Sequence, residues 1–222
     1  MRRIAVLALV ALVAALLFWG LPADRSTAQW LPERNEKQTP LPPVPENLAI
    51  ATFANGCFWC TESDFDKVEG VVATYSGYTG GQVKNPTYKQ VGSGSTGHVE
   101  ALRVVYDPKK VSYEKLLDVY WHNTDVTDDG GQFCDRGSEY QPAIFVHTPE
   151  QRRLAEASKA AFERSGKFKK VVVPIRDAAE FTPAEDYHQD FYQKNPGHYF
   201  RYRLGCGRDY RLEELWGPKP KG

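Results

Sequence analysis

The stretch from Leu48 to Val68 admits one local structure, and the rest of the chain must be built around it. Leu48 to Asn55 (LAIATFAN) is apolar and runs into Asn-Gly, which reads as a buried strand entering a turn. From Phe58 to about Val68 apolar side chains recur at helical spacing without Gly or Pro, so a helix follows at once. Gly56-Cys57-Phe58-Trp59-Cys60 joins the two and sets Cys57 at or just before the first helical turn. Unpaired backbone N–H groups and the helix dipole favour a thiolate there. Cys57 is therefore a candidate nucleophile, against the plainer reading of a small buried hydrophobe.

At 222 residues the chain suits one domain with appendages, and its net charge of +0 with no basic patch argues against nucleic acid as a partner. Four cysteines are too few for a disulfide scaffold, so a hydrophobic core must hold the fold.

Arg2 and Arg3 precede an apolar run, Ile4 to Leu21, and Ser26-Thr27-Ala28 offers small residues for cleavage. Residues 1–28 read as a signal peptide or, uncut, a membrane tether through 4–21. Both readings place the remainder outside the cytoplasm, periplasmic or secreted, where a reactive thiol needs dedicated reduction. Residues 29–47 are rich in Pro, Glu, Gln and Asn and read as a linker, with the folded domain spanning 48–217 and a short tail at 218–222.

Within the domain, Val71–Ser76 is a β-branched strand leading to the Gly-rich Gly77–Gly81. Gly92–Gly97 lacks the lysine and helix of a phosphate-binding loop. His98–Tyr106 is a strand whose alternation sets Glu100 on the side of Leu102 and Val104, where a carboxylate needs a partner or a raised pKa. Ser112 caps a helix with an apolar stripe, Leu116, Leu117, Val119, Tyr120 and Trp121. Asn123–Glu139 is a long loop, and Arg136 stands where a calcium loop needs its closing Glu. Then come a strand at Tyr140–His147, a helix from Pro149 to about Arg164, a strand at Lys170–Ile175 and a short helix at Ala184–Tyr192. The order predicts an α+β fold, a mixed sheet with helices packed on it.

Cys57 and Cys60 form half of a zinc site, but Cys134 and Cys206 stand alone without a His at ligand spacing, so no metal is expected. A thioredoxin-like redox pair fits the Cys-x-x-Cys between strand and helix, except that Phe58-Trp59 makes a bulky apolar wall. A third reading is a reductase thiol with apolar walls for a thioether-like substrate and a resolving cysteine elsewhere.

GCFWCTE, NPTYKQV, GHVEALRVVYDP, DRGSEYQPAIF and AEDYHQDFY, in that order, resemble the A-type peptide methionine sulfoxide reductases over about Leu48 to Pro196. The resemblance implies a ferredoxin-like two-layer core with an irregular C-terminal tail. It makes Cys57 the nucleophile that attacks the sulfoxide sulfur, Glu100 the acid that protonates its oxygen, and Tyr88 and Tyr140 the phenols bonded to that oxygen. Phe58 and Trp59 would hold the substrate methyl group, Asp135 would help fix the substrate, and His188 would support the site from behind. Oxidised Cys57 would be a sulfenic acid, resolved by Cys206 first, Cys60 second or Cys134 third, because many members carry their second cysteine in a Gly-rich tail. The implied substrates are methionine-S-sulfoxide in proteins and free methionine sulfoxide; a thioredoxin-like reductant would regenerate a monomeric enzyme that needs no cofactor. The readings that compete are a thiol-disulfide oxidoreductase using Cys57 and Cys60, and a non-catalytic binding domain stapled by its cysteines.

Overall fold

The computed structural model describes residues 36–218. The segment read as a signal or anchor, 1–28, lies outside the described residues.

Strand β1 (Ala49–Ala54) ends in Asn55-Gly56, and helix α1 (Phe58–Phe65) starts immediately after Cys57. The turn needs its glycine: Gly56 has φ +85°, and a Cβ there would sit 2.6 Å from Gln132 Cβ. Then follow β2 (Val71–Thr79), a one-turn helix α2 (Tyr88–Val91), β3 (Val99–Tyr106) and α3 (Tyr113–His122). Thr87 and Gln90 close α2 with a reciprocal capping box, and Ser112 Oγ caps α3 by accepting the Lys115 N–H. The long loop folds into a two-residue hairpin, β4 (Gly131–Gln132) and β5 (Asp135–Arg136), ahead of β6 (Ala143–Val146). Helix α4 (Pro149–Ser165) is capped by Thr148 and stopped by Gly166 in the left-handed region. Two short strands, β7 (Ile175–Asp177) and β8 (Phe181–Pro183), precede α5 (Phe191–Lys194), α6 (Pro196–Gly205) and α7 (Arg208–Trp216).

The main sheet has the order β7-β6-β1-β3-β2-β8, antiparallel throughout except β6 with β7. The mixed, α+β arrangement expected from the element order is therefore present. Phe53 faces Leu102 across β1 and β3, and with Val104 and Ile144 they bury one sheet face against Leu116, Leu117, Tyr120 and Trp121 of α3. The alternate positions Ala54, Ala101 and Phe145 point to the other face, against Phe181.

Three expectations change. Val171 and Val173 are buried, but the ladder begins only at Ile175, because Pro174 has no N–H to give it; its carbonyl instead accepts from Ile144. Ala184–Asp190 is not helical. Its side chains pin β2 instead: Gln189 exchanges hydrogen bonds with the Ser76 backbone, and Asp190 takes φ +52°, so helix starts at Phe191. The C-terminal segment, expected to be irregular, forms α6 and α7. Leu212 is buried, Trp216 packs on Phe162 and Phe168, and the Arg208 guanidinium is buried over the Phe133 ring, donating to the carbonyls of Asn55 and Asn123. Near the other terminus, Thr39 donates its N–H and hydroxyl to Asp186, so this part of the linker segment lies on the domain. Among the described residues no helix is long and apolar enough to cross a membrane.

Candidate active site

Cys57 stands between β1 and α1 as the N-cap residue, its carbonyl accepting from the N–H groups of Cys60 and Thr61. The neighbouring strand β3 brings Glu100 to the same end of the sheet, and Glu100 Oε2 accepts the Phe58 N–H at 3.0 Å. Glu100 is 3% exposed. Burial pushes its carboxyl well above the usual range; the Phe58 N–H opposes this, while the negative charges of Asp135 and Glu139 add to it. Glu100 therefore keeps its proton where most carboxylates have lost theirs.

The two cysteines of the motif are both free thiols and both buried. Burial pushes the Cys57 thiol up, and its hydrogen bond to Cys60 and the charge on Cys60 push the same way. Cys60 is pulled down, first by the hydrogen bond from Cys57, then, against its burial, by the guanidinium groups of Arg208 and Arg203. Of the two thiols, Cys60 is thus the more acidic and Cys57 the less.

Tyr88 comes from the capped α2 and Tyr140 from the 3-10 turn Ser138–Tyr140 after the hairpin. Their hydroxyls hydrogen-bond each other, and burial pushes Tyr88 up to about 12. Glu185 seats α2: it accepts the Tyr88 N–H and, on its other oxygen, the Tyr78 hydroxyl, both at 2.8 Å. Trp59 lies flat on Phe191 with ring centres 3.7 Å apart and donates its indole N–H to His188 Nδ1 at 3.0 Å. His188 also packs against the Phe58 and Tyr88 rings, at 4.9 and 4.5 Å.

These parts enclose one cavity of about 60 Å³, walled by Phe58 and Trp59 and lined by Cys57, Glu100, Tyr88, Tyr140 and Asp135. A water's share of liquid volume is roughly 30 Å³, so the space suits a small group such as the end of a side chain. All seven residues expected in catalysis and substrate binding line it, and His188 lies behind its aromatic wall. A larger groove of about 600 Å³ runs beside β2, lined by Thr39, Val72, Tyr75 and Asp186, with no cysteine in its wall.

Of the three candidates to resolve Cys57, Cys206 closes α6 and is bonded to Cys134 across 72 residues. That leaves Cys60 as the free thiol beside Cys57. Cys134, Asp135 and Cys206 group three potential metal-ligand atoms, but the two sulfurs are spent on each other. One lining residue escaped the sequence reading altogether. Tyr202, on α6, donates its hydroxyl to Asp135 Oδ2 and sets its ring edge-on to Trp59 at 5.7 Å. The tail gave no apolar stripe to predict α6, which buries none of its residues.

A family model described as peptide methionine sulfoxide reductase matches residues 49–220. A Listeria innocua protein named peptide methionine sulfoxide reductase MsrA is 54% identical over 172 residues, 77% of this chain and 97% of its own length. Its Bacillus pumilus namesake is 52% identical over 175 residues, 78% and 98% of the two chains. Among solved structures, reduced Mxr1 from Saccharomyces cerevisiae superposes with a TM-score of 0.63 at 30% identity, covering 68% of this chain and 88% of that one. Methionine sulfoxide reductase A of Corynebacterium diphtheriae gives 0.61 at 28% identity, covering 75% and 91%.

Proposed function

The chain belongs to the peptide methionine sulfoxide reductases, and on that premise we propose how its own residues reduce methionine-S-sulfoxide, in proteins or free. The observation that carries the reading is a buried Glu100, its pKa raised by that burial, facing the same small cavity as Cys57. The substrate's methyl group sits against Phe58 and Trp59, and its oxygen meets Glu100 and the hydroxyls of Tyr88 and Tyr140. Cys57 attacks the sulfoxide sulfur as its proton passes to Cys60, and Glu100 delivers its proton to the oxygen. The adduct breaks with the hydroxyl ending on Cys57, so the thioether leaves and the cysteine becomes a sulfenic acid.

Cys60 then displaces that hydroxyl as water and closes a Cys57–Cys60 disulfide. Its free thiol beside Cys57 and the engagement of Cys206 with Cys134 favour Cys60 over Cys206 as the resolving residue. A thioredoxin-like dithiol reduces the disulfide by exchange; of the two protons it brings, one stays on Cys57 and the other returns to Glu100, leaving Cys60 as the thiolate that takes the Cys57 proton in the next turnover. We further propose that the protein works outside the cytoplasm, exported by Arg2-Arg3 and the apolar run Ile4–Leu21, which is either cleaved or kept as a tether. Cell fractionation tests that point, since a wholly cytoplasmic protein rules it out.

Mass-spectrometric mapping of the enzyme after one turnover with methionine sulfoxide and no reductant tests the chemistry. A Cys57–Cys60 disulfide with one equivalent of methionine is expected. A new bond from Cys57 to Cys206 removes Cys60 from its role, and turnover by Cys57→Ser removes the mechanism.

A further inference from the structure

Helix α6 carries a functional group into the cavity without a core of its own to hold it there. It has no buried residue, and Phe200 and Leu204 are 65% and 68% exposed. Yet Tyr202 lines the cavity beside Cys57, donates to Asp135 Oδ2 and packs edge-on against Trp59. One helical turn on, the Cys206 N–H donates to the Tyr202 carbonyl at 2.9 Å, and Cys206 is bonded to Cys134, the residue before Asp135. The turn Tyr202–Cys206 is thus tied twice to the pair Cys134-Asp135, once through a phenol and a carboxylate and once through sulfur. The Cys134 N–H, which donates to Cys206 Sγ at 3.2 Å, adds a third tie.

We propose that Tyr202 is a further catalytic residue of the reductase, a hydrogen-bond donor to the Cys57 sulfur as it becomes an anion, and that the Cys134–Cys206 disulfide is the clip that holds it in reach. This rests on Cys57 being the nucleophile. A phenol that shares its proton between Asp135 and the sulfur stabilises the attacking thiolate and keeps Asp135 oriented toward the substrate. Such a hydrogen bond lowers the Cys57 pKa, against the burial and the charges nearby, which raise it. The groups facing this sulfur are Cys60 on α1, Glu100 on β3, Tyr88 on α2 and Tyr202 on α6, while Asp135 and Cys60 face the Tyr202 hydroxyl in turn. Removing the Tyr202 hydroxyl therefore moves the Cys57 pKa in one direction, upward.

The test uses the full chain, with Tyr202→Phe and the double variant Cys134→Ser/Cys206→Ser. Two readouts avoid any part the clip cysteines play in recycling: alkylation of Cys57 followed by mass spectrometry against pH, and the methionine burst of a single turnover without reductant. In Tyr202→Phe the alkylation profile should shift to higher pH and the burst rate at pH 7.5 should fall about tenfold, with the melting temperature kept because the ring remains on Trp59. The clip variant should reproduce both changes, and combining it with Tyr202→Phe should add little. An unshifted profile and an undiminished burst in Tyr202→Phe overturn the catalytic role. A clip variant with the unmodified protein's profile and burst overturns the role of the disulfide. Cys57→Ser separates this proposal from its premise: if that variant still turns over, the nucleophile assignment has failed, and if it is dead while Tyr202→Phe is unimpaired, only Tyr202 has.

Discussion

Glu100 Oε2 accepts the Phe58 N–H at 3.0 Å, so the acid is fastened to the first residue of the helix that Cys57 opens. One bond from strand β3 to helix α1 therefore fixes the distance between proton source and nucleophile. It also occupies one carboxyl oxygen and leaves the other to carry the proton. Glu100→Gln keeps the shape and an acceptor for Phe58 but has no proton of acid strength. Sulfoxide turnover should fall by about 10²- to 10⁴-fold, with Cys57 still open to alkylation. Because burial raises the Glu100 pKa, the active, protonated form is lost as pH rises. The alkaline fall of kcat in the unmodified enzyme should therefore flatten in the variant. Unchanged turnover would take Glu100 out of the acid role.

Tyr88 and Tyr140 hydrogen-bond each other beside Glu100. Their coupling means that removing one hydroxyl frees the other to serve the substrate oxygen alone. Tyr88→Phe and Tyr140→Phe should each lower kcat by about tenfold, less than the 10²- to 10³-fold seen when an isolated oxyanion donor is removed. The double variant should lose more than the two single effects combined. Steady-state kinetics on free methionine sulfoxide measures all three, and simple additivity would show that the phenols act independently.

Another buried acid, Glu62, makes a stability prediction away from the chemistry. It is 0% exposed on α1, and burial raises its pKa to about 8, with the Asp66 and Asp190 charges adding to the shift and the Asp190 and Phe191 backbone opposing it. A raised acid binds more protons folded than unfolded, so its contribution is favourable at low pH and is lost as pH climbs from about 4.5 to about 8. At about 1.4 kcal/mol per unit, the cost at pH 8.5 is a few kcal/mol. Glu62→Gln should raise the urea midpoint at pH 8.5 and leave it nearly unchanged at pH 4.5. Equal shifts at both pH values would mean that the carboxyl is ionised throughout.

What the sequence made legible and what it hid divide along a physical line. The β1–Cys57–α1 junction, the strand bearing Glu100 and the α3 stripe were readable because their signals are local: alternation, helical spacing, Asn-Gly and a Ser cap. Helix α6 was not, since its stability comes from pairings made far along the chain: Arg203 with Asp64, Tyr202 with Asp135, Cys206 with Cys134. Arg203 and Arg208 carry no local signal in the sequence, yet they face Cys60 from the segment expected to be irregular. With four cysteines, spacing alone does not select the pairing, and nothing local in the sequence joins Cys134 to Cys206.

Gly56 shows how a legible turn residue also constrains the chemistry. Its φ of +85° is one that a side chain resists, and a Cβ would press on Gln132 Cβ at 2.6 Å, inside ordinary contact. Gln132 cannot simply yield, because its amide holds the loop by accepting the Asp125 N–H and donating to the Asp125 and Gly131 carbonyls. Gly56→Ala must therefore either unwind the left-handed turn or push the hairpin that leads to Asp135 and Tyr140. The backbone strain alone costs about 1–2 kcal/mol, and the clash adds to it, so urea unfolding should register a loss of at least that size. Turnover at temperatures where the variant is fully folded should fall as well, because Cys57, on one side of the turn, and Asp135, beyond Gln132 on the other, lose their spacing. A variant that is less stable but fully active when folded would show that the turn absorbs the methyl group without moving Cys57.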